Sequence, residues 1–536
     1  MHRILVTEPL AEEGLEVLRR QAEVDVNQGL SPQALVQAVA AYDGLVVRSK
    51  TQVTEELIAA APRLAVIGRA GTGVDNIDLD AATRKGIVVV NAPYGNTVSV
   101  AEHTLGMLLA LVRHIPRADS ALRQGQWDKR GCQGVQVRGK VLGLAGLGRI
   151  GTAVARRALG LEIKVIGYDP FVTPERAAQV GVEWVPWEEL LCSADFVSLH
   201  LPISEQTLGV IGAREIALMK PSAYLINCAR GGLVDEQALL EALETGCLAG
   251  AALDVFEQEP LLSSALLACE KVVLTPHVAG ATAEAQRDTA VEVAEQVLEV
   301  LAGQIPRYPV NAPALSADEL EQLGPYLDLS QRLGRFYAQL AGDHLRAVEV
   351  SCTGDIPSQR IDLIVSAVLV GLLAGTSEEP INWINAKVLA HERGIAFAGR
   401  QEPLTKSGWA NLIGLRLSTD SQQREVAGAV LRGEPHIVQI DGYWLDFVAR
   451  GLLLVSEHVE QPGILGRMGT VLGDAGVNIH FVQVGRRERG GRGILVLGLD
   501  DPLTAEVLEQ VLALPSIRSA RMVRLSPTDQ ATRTAP

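Results

Sequence analysis

One short segment limits the possible folds of this 536-residue chain more than any other. The apolar run Val141–Ala145 leads directly into Gly-Leu-Gly-Arg-Ile-Gly at residues 146–151, and a helical stretch follows at once. In this order Gly146 allows a tight turn, Gly148 lets a ligand approach the backbone, and Gly151 lets helix and strand pack closely. The pattern predicts a doubly wound parallel sheet with a helix N-terminus that binds phosphate.

Short β-branched runs alternate with helical periodicity on both sides of this glycine fingerprint. Residues 1–97 contain four such runs, and residues 98–280 contain about six, the number typical of a doubly wound sheet. Strands that alternate with helices form parallel sheets covered on both faces. We therefore expect an α/β protein whose first part holds two flavodoxin- or Rossmann-like domains.

The second half of the chain has a different pattern. Residues 283–302 have the periodicity of one amphipathic helix, and three prolines between Gln304 and Asp318 predict a linker. Residues 319–450 form a further α/β region without a catalytic motif. Residues 452–526 follow a β-α-β-β-α-β order, which is typical of a ferredoxin-like sheet.

Charge and cysteine content narrow the class of protein. The net charge of −15 argues against a broad nucleic-acid surface. The six cysteines include no CxxC pair, which favours reduced thiols in a cytoplasmic protein, and we predict no metal site. The N-terminus lacks the apolar core of a signal peptide, and the most apolar run, residues 363–375, is too short to cross a bilayer. We therefore expect neither nucleic acid nor a membrane as a partner.

The nature of the cofactor is suggested by Asp169, which ends the strand after the fingerprint, about 20 residues beyond it. A carboxylate there accepts hydrogen bonds from the ribose hydroxyls of a dinucleotide and repels a 2′-phosphate. These features favour NAD over NADP. The alternative is that Asp169 and Pro170 only form a structural turn.

Three residues follow successive strands of the predicted sheet: Arg230, Glu259 and His277. The carboxyl ends of parallel strands meet in one crevice, so we expect the three side chains to converge. A histidine can take a hydroxyl proton, a carboxylate can orient that histidine, and a guanidinium can grip a substrate carboxylate. Each residue alone has an ordinary structural explanation, but together they favour oxidation of a hydroxy acid.

These motifs together resemble a known family. The segments are Gly-Leu-Gly-Arg-Ile-Gly at 146–151, Asn-Cys-Ala-Arg-Gly-Gly at 227–232, Asp-Val-Phe…Glu-Pro at 254–260 and Thr-Pro-His-x-x-Gly at 275–280. The chain is similar to the D-isomer-specific 2-hydroxyacid dehydrogenase family and, within it, resembles the long-form phosphoglycerate dehydrogenases. The resemblance implies that NAD oxidises 3-phospho-D-glycerate to 3-phosphooxypyruvate, the first step from glycolysis to L-serine, in a cytoplasmic homotetramer.

The resemblance also implies a division of the chain into domains. Residues 1–97 with 281–315 correspond to a substrate-binding domain, and residues 98–280 to an NAD-binding Rossmann domain. Residues 316–450 correspond to an intervening domain of the allosteric substrate-binding type. Residues 452–526 resemble an ACT regulatory domain, and residues 527–536 form a tail.

Individual roles follow from the same resemblance. The catalytic residues would be Arg230, Glu259 and His277. The cofactor would contact Thr72, Gly146, Gly148, Arg149, Ile150, Gly151, Asp169, Leu201, Cys228, Ala229, Arg230, Asp254, His277 and Gly280. The substrate would contact Arg48, Ser49, Arg69, Gly73, Asn96, Arg230 and His277. Lys129 and Arg130 would either add charge to a neighbouring subunit's site or form a solvated basic turn.

The C-terminal region carries a possible effector site. His458, Glu460 and Asn478 match positions that contact L-serine between paired domains in serine-inhibited relatives. Glu460 departs from the pattern, because some relatives carry Asn or Asp there.

Two other functions fit parts of the sequence. One is a dehydrogenase for another D-2-hydroxy acid, or a reductase for the matching oxo acid, with glycerate, glyoxylate or 2-oxoglutarate as substrates. The other is an NAD(H)-sensing corepressor that binds protein partners. The long C-terminal extension disfavours both, since it matches a metabolic regulatory module.

Overall fold

A computed structural model describes four β-sheets and the helices that cover them. The described residues are 1–304, 306–313, 315, 317–341, 344–354, 356, 360–374, 376, 381–403, 409 and 411–525. The predicted tail at 527–536 lies outside them.

The first sheet has five parallel strands in the order β2-β1-β3-β4-β5, as in flavodoxin-like folds. Its elements are β1 (His2–Val6), α1 (Glu12–Arg19), β2 (Ala22–Val26), α2 (Pro32–Ala38), β3 (Gly44–Val47), α3 (Glu55–Ala59), β4 (Val66–Arg69), α4 (Leu79–Arg84) and β5 (Val88–Asn91), with a 3-10 turn at Val39–Ala41. Thr54 and Asp78 cap α3 and α4 by accepting backbone N–H bonds, which stabilises helices this short.

The second sheet has seven parallel strands in the order β12-β11-β10-β9-β6-β7-β8. Its elements are α5 (Thr97–Val112), α6 (Ile115–Arg123), β6 (Val141–Ala145), α7 (Arg149–Gly160), β7 (Lys164–Tyr168), α8 (Pro174–Ala178), β8 (Glu183–Trp184), α9 (Trp187–Ser193), β9 (Phe196–Leu199), α10 (Ala213–Leu218), β10 (Tyr224–Asn227), α11 (Glu236–Thr245), β11 (Gly250–Leu253) and β12 (Val272–Leu274), with a 3-10 turn at Ala265–Ala268. The strand order reverses between β6 and β9, beside the glycine fingerprint. Sequence patterning found six of these strands, because the two residues of β8 are too few to show periodicity.

Helix α12 (Ala283–Leu301) carries the chain back to the first sheet. Thr282 caps its first turn, and buried Ala290, Val293, Ala294 and Val297 recur at helical spacing. Val293, Ala294 and Val297 pack on the first sheet, so one long amphipathic helix closes that layer, as its sequence predicts.

The third sheet is mixed, with the order β14-β13-β15-β16-β17-β18, and only its β13–β14 pair is parallel. Its elements are α13 (Ala317–Leu340), β13 (Leu345–Thr353), α14 (Ile361–Leu373), α15 (Ala386–Glu392), β14 (Ala396–Glu402), β15 (Leu412–Thr419), β16 (Gln423–Leu431), β17 (Glu434–Ile440) and β18 (Tyr443–Val448). Helices α13 and α14 pack against each other over one face of this sheet.

The fourth sheet is antiparallel, with the order β20-β21-β19-β22. Its elements are β19 (Gly451–Val459), α16 (Ile464–Asp474), β20 (Ile479–Arg486), β21 (Arg492–Leu499), α17 (Ala505–Leu512) and β22 (Ile517–Leu525). One face packs on α16 and α17, and the other joins the core of the third sheet. The prediction of two parallel-sheet domains, a further α/β region and a ferredoxin-like sheet is confirmed. Within the described part of the chain, no helix combines the length and apolar character needed to cross a membrane.

Candidate active site

A cleft of about 1290 Å³ lies between the first and second sheets, where the carboxyl ends of both sets of strands meet. Arg69 at the end of β4 and the loop residues Arg48 and Thr72 line it from the first sheet, and Arg230 and His277 line it from loops of the second sheet. Ligands of open α/β sheets bind at this edge. The cleft therefore collects charged side chains from both halves of the catalytic region.

Each glycine of the fingerprint has its own physical requirement. Gly146 has φ +99°, a conformation that side chains rarely adopt, and a Cβ on Gly151 would lie 2.1 Å from the Gly146 carbonyl oxygen. A Cβ on Gly148 would instead meet nothing within 4 Å. The first and third glycines are thus demanded by the protein's own packing, whereas the second leaves open space beside the backbone.

Helix α7 starts at Arg149 directly after this open space, and no side chain caps its first turn. Unpaired N–H groups and the positive end of the helix dipole suit an anion such as a pyrophosphate. Asp169 accepts hydrogen bonds from the backbone N–H of Leu147 (2.9 Å) and of Phe171 (2.9 Å). Its carboxylate is thereby tied to the fingerprint loop, where the sequence predicts a ribose contact.

His277 and Glu259 form a direct pair in the cleft. The Glu259 carboxylate accepts a hydrogen bond from His277 Nδ1 (2.7 Å), and its other oxygen accepts one from the backbone N–H of Phe256 (3.1 Å). The backbone bond therefore fixes the Glu259 side chain, which in turn orients the imidazole of His277. With Nδ1 engaged, Nε2 is the nitrogen available to a substrate.

Asp254 shapes the loop that carries His277. It is completely buried and accepts hydrogen bonds from Thr275 Oγ1 (2.5 Å) and from the N–H groups of Val278 and Ala279 (2.9 Å each). Burial alone would raise the pKa of this carboxyl, but the hydrogen bonds from His103, Thr275 and the loop outweigh burial and lower it. His277 itself has φ +53°, and this backbone is held by its N–H bond to the Asp254 carbonyl (2.8 Å). The predicted contact of Asp254 with the cofactor stays a prediction, since its carboxylate here faces the loop.

Arg230 reaches across the cleft to the first domain. Its Nε donates to Asp75 Oδ2 (3.1 Å), and its Nη1 donates to the Ala229 carbonyl (2.7 Å). A Cβ on Gly73 would lie 2.1 Å from Nη2, so the guanidinium in this position lies directly against the Gly73 backbone. Predicted residues Arg230 and Gly73 are thus in contact, and Asp75 holds one edge of the guanidinium.

Arg69 is the least compensated charge of the cleft. Its Nε is buried and has no hydrogen-bond partner, and its Nη1 occupies the space that a Cβ on Gly71 would need. Burial, reinforced by the charges of Arg230 and Arg48, lowers its pKa to about 10. An anionic ligand between the three arginines would relieve their mutual repulsion.

The remaining predicted residues of the cleft are distributed around these charges. Thr72 Oγ1 donates to Asn96 Oδ1 (2.7 Å), which joins a predicted cofactor residue to a predicted substrate residue. Cys228 is buried, and burial raises the pKa of its thiol to about 12, so the thiol is neutral. The cleft wall also includes Ser49, Ile150, Leu201, Ala229 and Gly280. Arg149 faces a different direction, with its guanidinium 4.5 Å from the ring centre of Tyr94.

Three family profiles match successive parts of the chain. Residues 105–279 match the NAD binding domain of D-isomer specific 2-hydroxyacid dehydrogenases. Residues 322–441 match the intervening domain of D-3-phosphoglycerate dehydrogenase, and residues 452–516 match the ACT domain. The second sheet is therefore an NAD-binding domain, and the fourth sheet is an ACT domain.

Full-length relatives share this arrangement. The D-3-phosphoglycerate dehydrogenase of Methanocaldococcus jannaschii is 41% identical over 526 residues, which cover 98% of this chain and 100% of that protein. The D-3-phosphoglycerate dehydrogenase of Bacillus subtilis is 38% identical over 529 residues, which cover 98% of this chain and 100% of that protein. The chain belongs to the D-3-phosphoglycerate dehydrogenase family. It is an NAD-dependent oxidoreductase.

Solved structures of related enzymes match somewhat more than half of this chain. A D-lactate dehydrogenase from Aquifex aeolicus, complexed with NAD and lactic acid, is 30% identical with a TM-score of 0.53, over 58% of this chain and 100% of that one. A glyoxylate reductase from Paecilomyes thermophila is 29% identical with a TM-score of 0.54, over 58% of this chain and 98% of that one. The shared fold extends across dehydrogenases and reductases with different substrates, so substrate choice depends on side chains in the cleft.

The candidate effector residues of the ACT domain do not meet within one chain. His458 is buried, its Nδ1 has no hydrogen-bond partner, and it lies at the end of β19 beside Glu460. Glu460 pairs with Arg486 and accepts from the N–H of Gly490 (2.7 Å). Asn478 lies at the opposite end of the sheet and donates to Asp500 (2.6 Å). A ligand could touch all three predicted residues only if a second ACT domain brought its own end of the sheet alongside.

Several positioning residues were not singled out from the sequence. Asp75 contacts Arg230, and His103 contacts Asp254. Glu8 contacts the loop that carries Arg48. Asp75 follows the predicted site residues Thr72 and Gly73 in the chain, but its contact with Arg230 could not be read from the sequence. Lys129 and Arg130 lie in an exposed turn, and both explanations given for them stay open.

Proposed function

We propose that this enzyme oxidises 3-phospho-D-glycerate to 3-phosphooxypyruvate with NAD. One observation supports this most: Arg48, Arg69 and Arg230 converge beside the His277–Glu259 pair, and Arg69 Nε is buried without a partner. A substrate with both a carboxylate and a phosphate matches this excess of positive charge. The shared name of the full-length relatives supports the same substrate.

The side chains suggest a division of labour around the reacting carbon. His277 Nε2 takes the proton of the substrate hydroxyl, and the Glu259 side chain, bonded to Nδ1, stabilises the imidazolium that forms. Arg230 binds the substrate carboxylate with the guanidinium edge that Asp75 leaves free. NAD, when bound, supplies the acceptor for the hydride. Arg48 and Arg69 hold the phosphate at the other end, which fixes the hydroxyl beside His277.

The structure around the glycine fingerprint, and not only its sequence pattern, suits NAD. The open side of Gly148 and the uncapped start of α7 suit the pyrophosphate, and Asp169 suits a ribose diol. A 2′-phosphate near Asp169 would face a carboxylate, which disfavours NADP.

Initial rates of NADH formation test the proposal. We expect 3-phospho-D-glycerate to give a kcat/KM at least about 100-fold above that of D-glycerate, because a desolvated phosphate–arginine contact contributes roughly 1.5–3 kcal/mol and this site offers two arginines. Equal rates on the two acids would contradict the assignment of substrate. The same assay with NADP tests Asp169.

Regulation, assembly and location are further parts of the proposal. L-serine would bind between two ACT domains, with His458 and Glu460 from one copy and Asn478 from the other. The unpartnered His458 Nδ1 supports a ligand there, although Glu460 is already engaged by Arg486. Serine titration of the rate is the test, and unchanged turnover at millimolar serine would count against this effector.

A homotetramer is the proposed assembly. The exposed apolar side chains of Ile115, Leu122 and Trp127 support a partner surface on the α6 segment. Light scattering at several concentrations would measure the mass. The cytoplasm is the proposed location, because six free thiols suit a reducing compartment.

A further inference from the structure

Glu8 lies just beyond β1, at the carboxyl end of the strand that pairs with β3. The side chain is only 7% exposed. Its carboxylate accepts backbone N–H bonds from Arg48 (2.9 Å), Lys50 (3.2 Å) and Thr51 (2.9 Å). One buried carboxylate thus accepts three backbone amides of the loop that follows β3.

We propose that Glu8 is a positioning residue for substrate specificity, which holds the 48–51 loop so that Arg48 faces the phosphate end of the substrate. The inference rests on the proposed function, since it concerns the phosphate-binding part of the same cleft. It assigns to Glu8 no contact with substrate or cofactor.

The loop is held from both sides. Glu8 takes its N–H groups, while Asn76 Nδ2 donates to the carbonyls of Arg48 (2.9 Å) and Thr51 (2.7 Å). These amides and carbonyls are therefore occupied within the protein, whereas the Arg48 side chain lines the cleft. Arg48 Nη1 also donates to the carbonyl of Pro9 (3.2 Å), the residue after Glu8, which ties the guanidinium to the same corner.

The charge of Glu8 is suited to this role. Burial alone would raise its pKa, but the hydrogen bonds from Thr51, Arg48 and Lys50 outweigh burial and lower it, so the carboxylate is ionised at neutral pH. Because its oxygens accept backbone N–H bonds, the negative charge is stabilised by the loop that it holds. Its field also favours the charged form of Arg69 in the same cleft.

The Glu8→Gln variant tests the role, because glutamine keeps the shape but removes the negative charge and places an NH₂ group where Oε2 accepts from the N–H of Lys50. We expect the KM for 3-phospho-D-glycerate to rise about tenfold, the usual effect of losing a well-oriented charged hydrogen bond. The kcat/KM for D-glycerate and the Kd for NADH should stay within about twofold, since neither ligand uses Arg48. Glu13→Gln, an exposed glutamate on α1, is the matched control.

A double-mutant cycle shows whether Glu8 acts through Arg48. Arg48→Ala alone should raise the KM for phosphoglycerate by at least tenfold, and adding Glu8→Gln should then change it by less than about twofold. If the two effects multiply, or if Glu8→Gln harms both acids equally, Glu8 is a structural residue and the inference is wrong. Should Glu8→Gln fail to fold, Glu8→Asp, which keeps the charge but shortens the reach, replaces it in the same cycle.

The wild-type rates separate this inference from the proposed function. A wild-type enzyme that does not prefer phosphoglycerate overturns both. A wild-type enzyme with that preference, combined with a Glu8→Gln variant of unchanged KM, overturns the role of Glu8 alone.

Discussion

Arg69 presents a conflict between stability and function that one substitution can measure. Its Nε is buried without a hydrogen-bond partner, and the side chain lies near two other arginines. Its pKa of about 10 lies below the usual 12.5, which means that the charged side chain destabilises the folded state by about 3 kcal/mol. Because the folded-state pKa is the lower one, this cost is present in full at neutral pH and fades as the pH rises above about 10.

We therefore expect Arg69→Met to stabilise the enzyme without substrate. Methionine fills a similar volume without a charge, so the free energy of unfolding should rise by up to about 3 kcal/mol and the Tm by several degrees. The KM for 3-phospho-D-glycerate should rise by about 10- to 100-fold, because a charged partner of the phosphate is lost. The variant would therefore be more stable than the wild type but would bind 3-phospho-D-glycerate more weakly.

Thermal unfolding with and without 3-phospho-D-glycerate, followed by steady-state rates, provides the assay. The wild-type Tm should rise with the substrate and the variant's should not. Arg20→Met, at an exposed arginine of the same domain, is the control and should leave both quantities unchanged. A variant that melts below the wild type, or that keeps its KM, would refute this account of Arg69.

Three further outcomes are expected. His277→Ala should lower kcat by at least about 100-fold while the Kd for NADH stays within about threefold, as stopped-flow rates and fluorescence titration would show. Gly148→Ala should keep the wild-type Tm, because its methyl group meets no protein atom, but it should weaken NADH binding at least tenfold, because the methyl group occupies the space proposed for the pyrophosphate. Gly151→Ala should lower both the Tm and the affinity for NADH, because its Cβ would lie 2.1 Å from the Gly146 carbonyl oxygen. Asp254→Asn should cost about 1–3 kcal/mol of stability at pH 7. That difference should shrink as the pH falls below about 4, since the lowered pKa of Asp254 stabilises the fold only above that range.

Local patterns predicted most of the framework. The alternation of apolar runs and helical stretches indicated the two parallel sheets, and the helix at Ala283–Leu301 was visible from its periodicity. The two-residue strand β8 was missed because so short a run has no measurable period. The three catalytic candidates were predicted to converge because parallel strands end at one edge, and the structure brings His277 and Glu259 to 2.7 Å.

Partners between distant segments were beyond the sequence. Nothing local to Asp75 indicates that it holds Arg230, since 155 residues separate them and only the packing of two domains brings them together. The same is true of Glu8, whose three amide donors lie about 40 residues away on the loop after a neighbouring strand. Hydrogen bonds between side chains and distant backbone leave no periodic trace.

The sequence by itself predicted where the phosphates of a dinucleotide bind, because a glycine fingerprint between strand and helix is typical of that site. It also determined which residue types could carry out hydride chemistry. Tertiary structure decided which charges are compensated. Both oxygens of Glu259 and of Asp254 accept hydrogen bonds, and one edge of the Arg230 guanidinium is held by Asp75. Arg69, by contrast, keeps a buried Nε without a partner. That inequality arises only when two sheets close on one cleft, since the energy of a charge depends on its surroundings in space rather than on its neighbours in the chain.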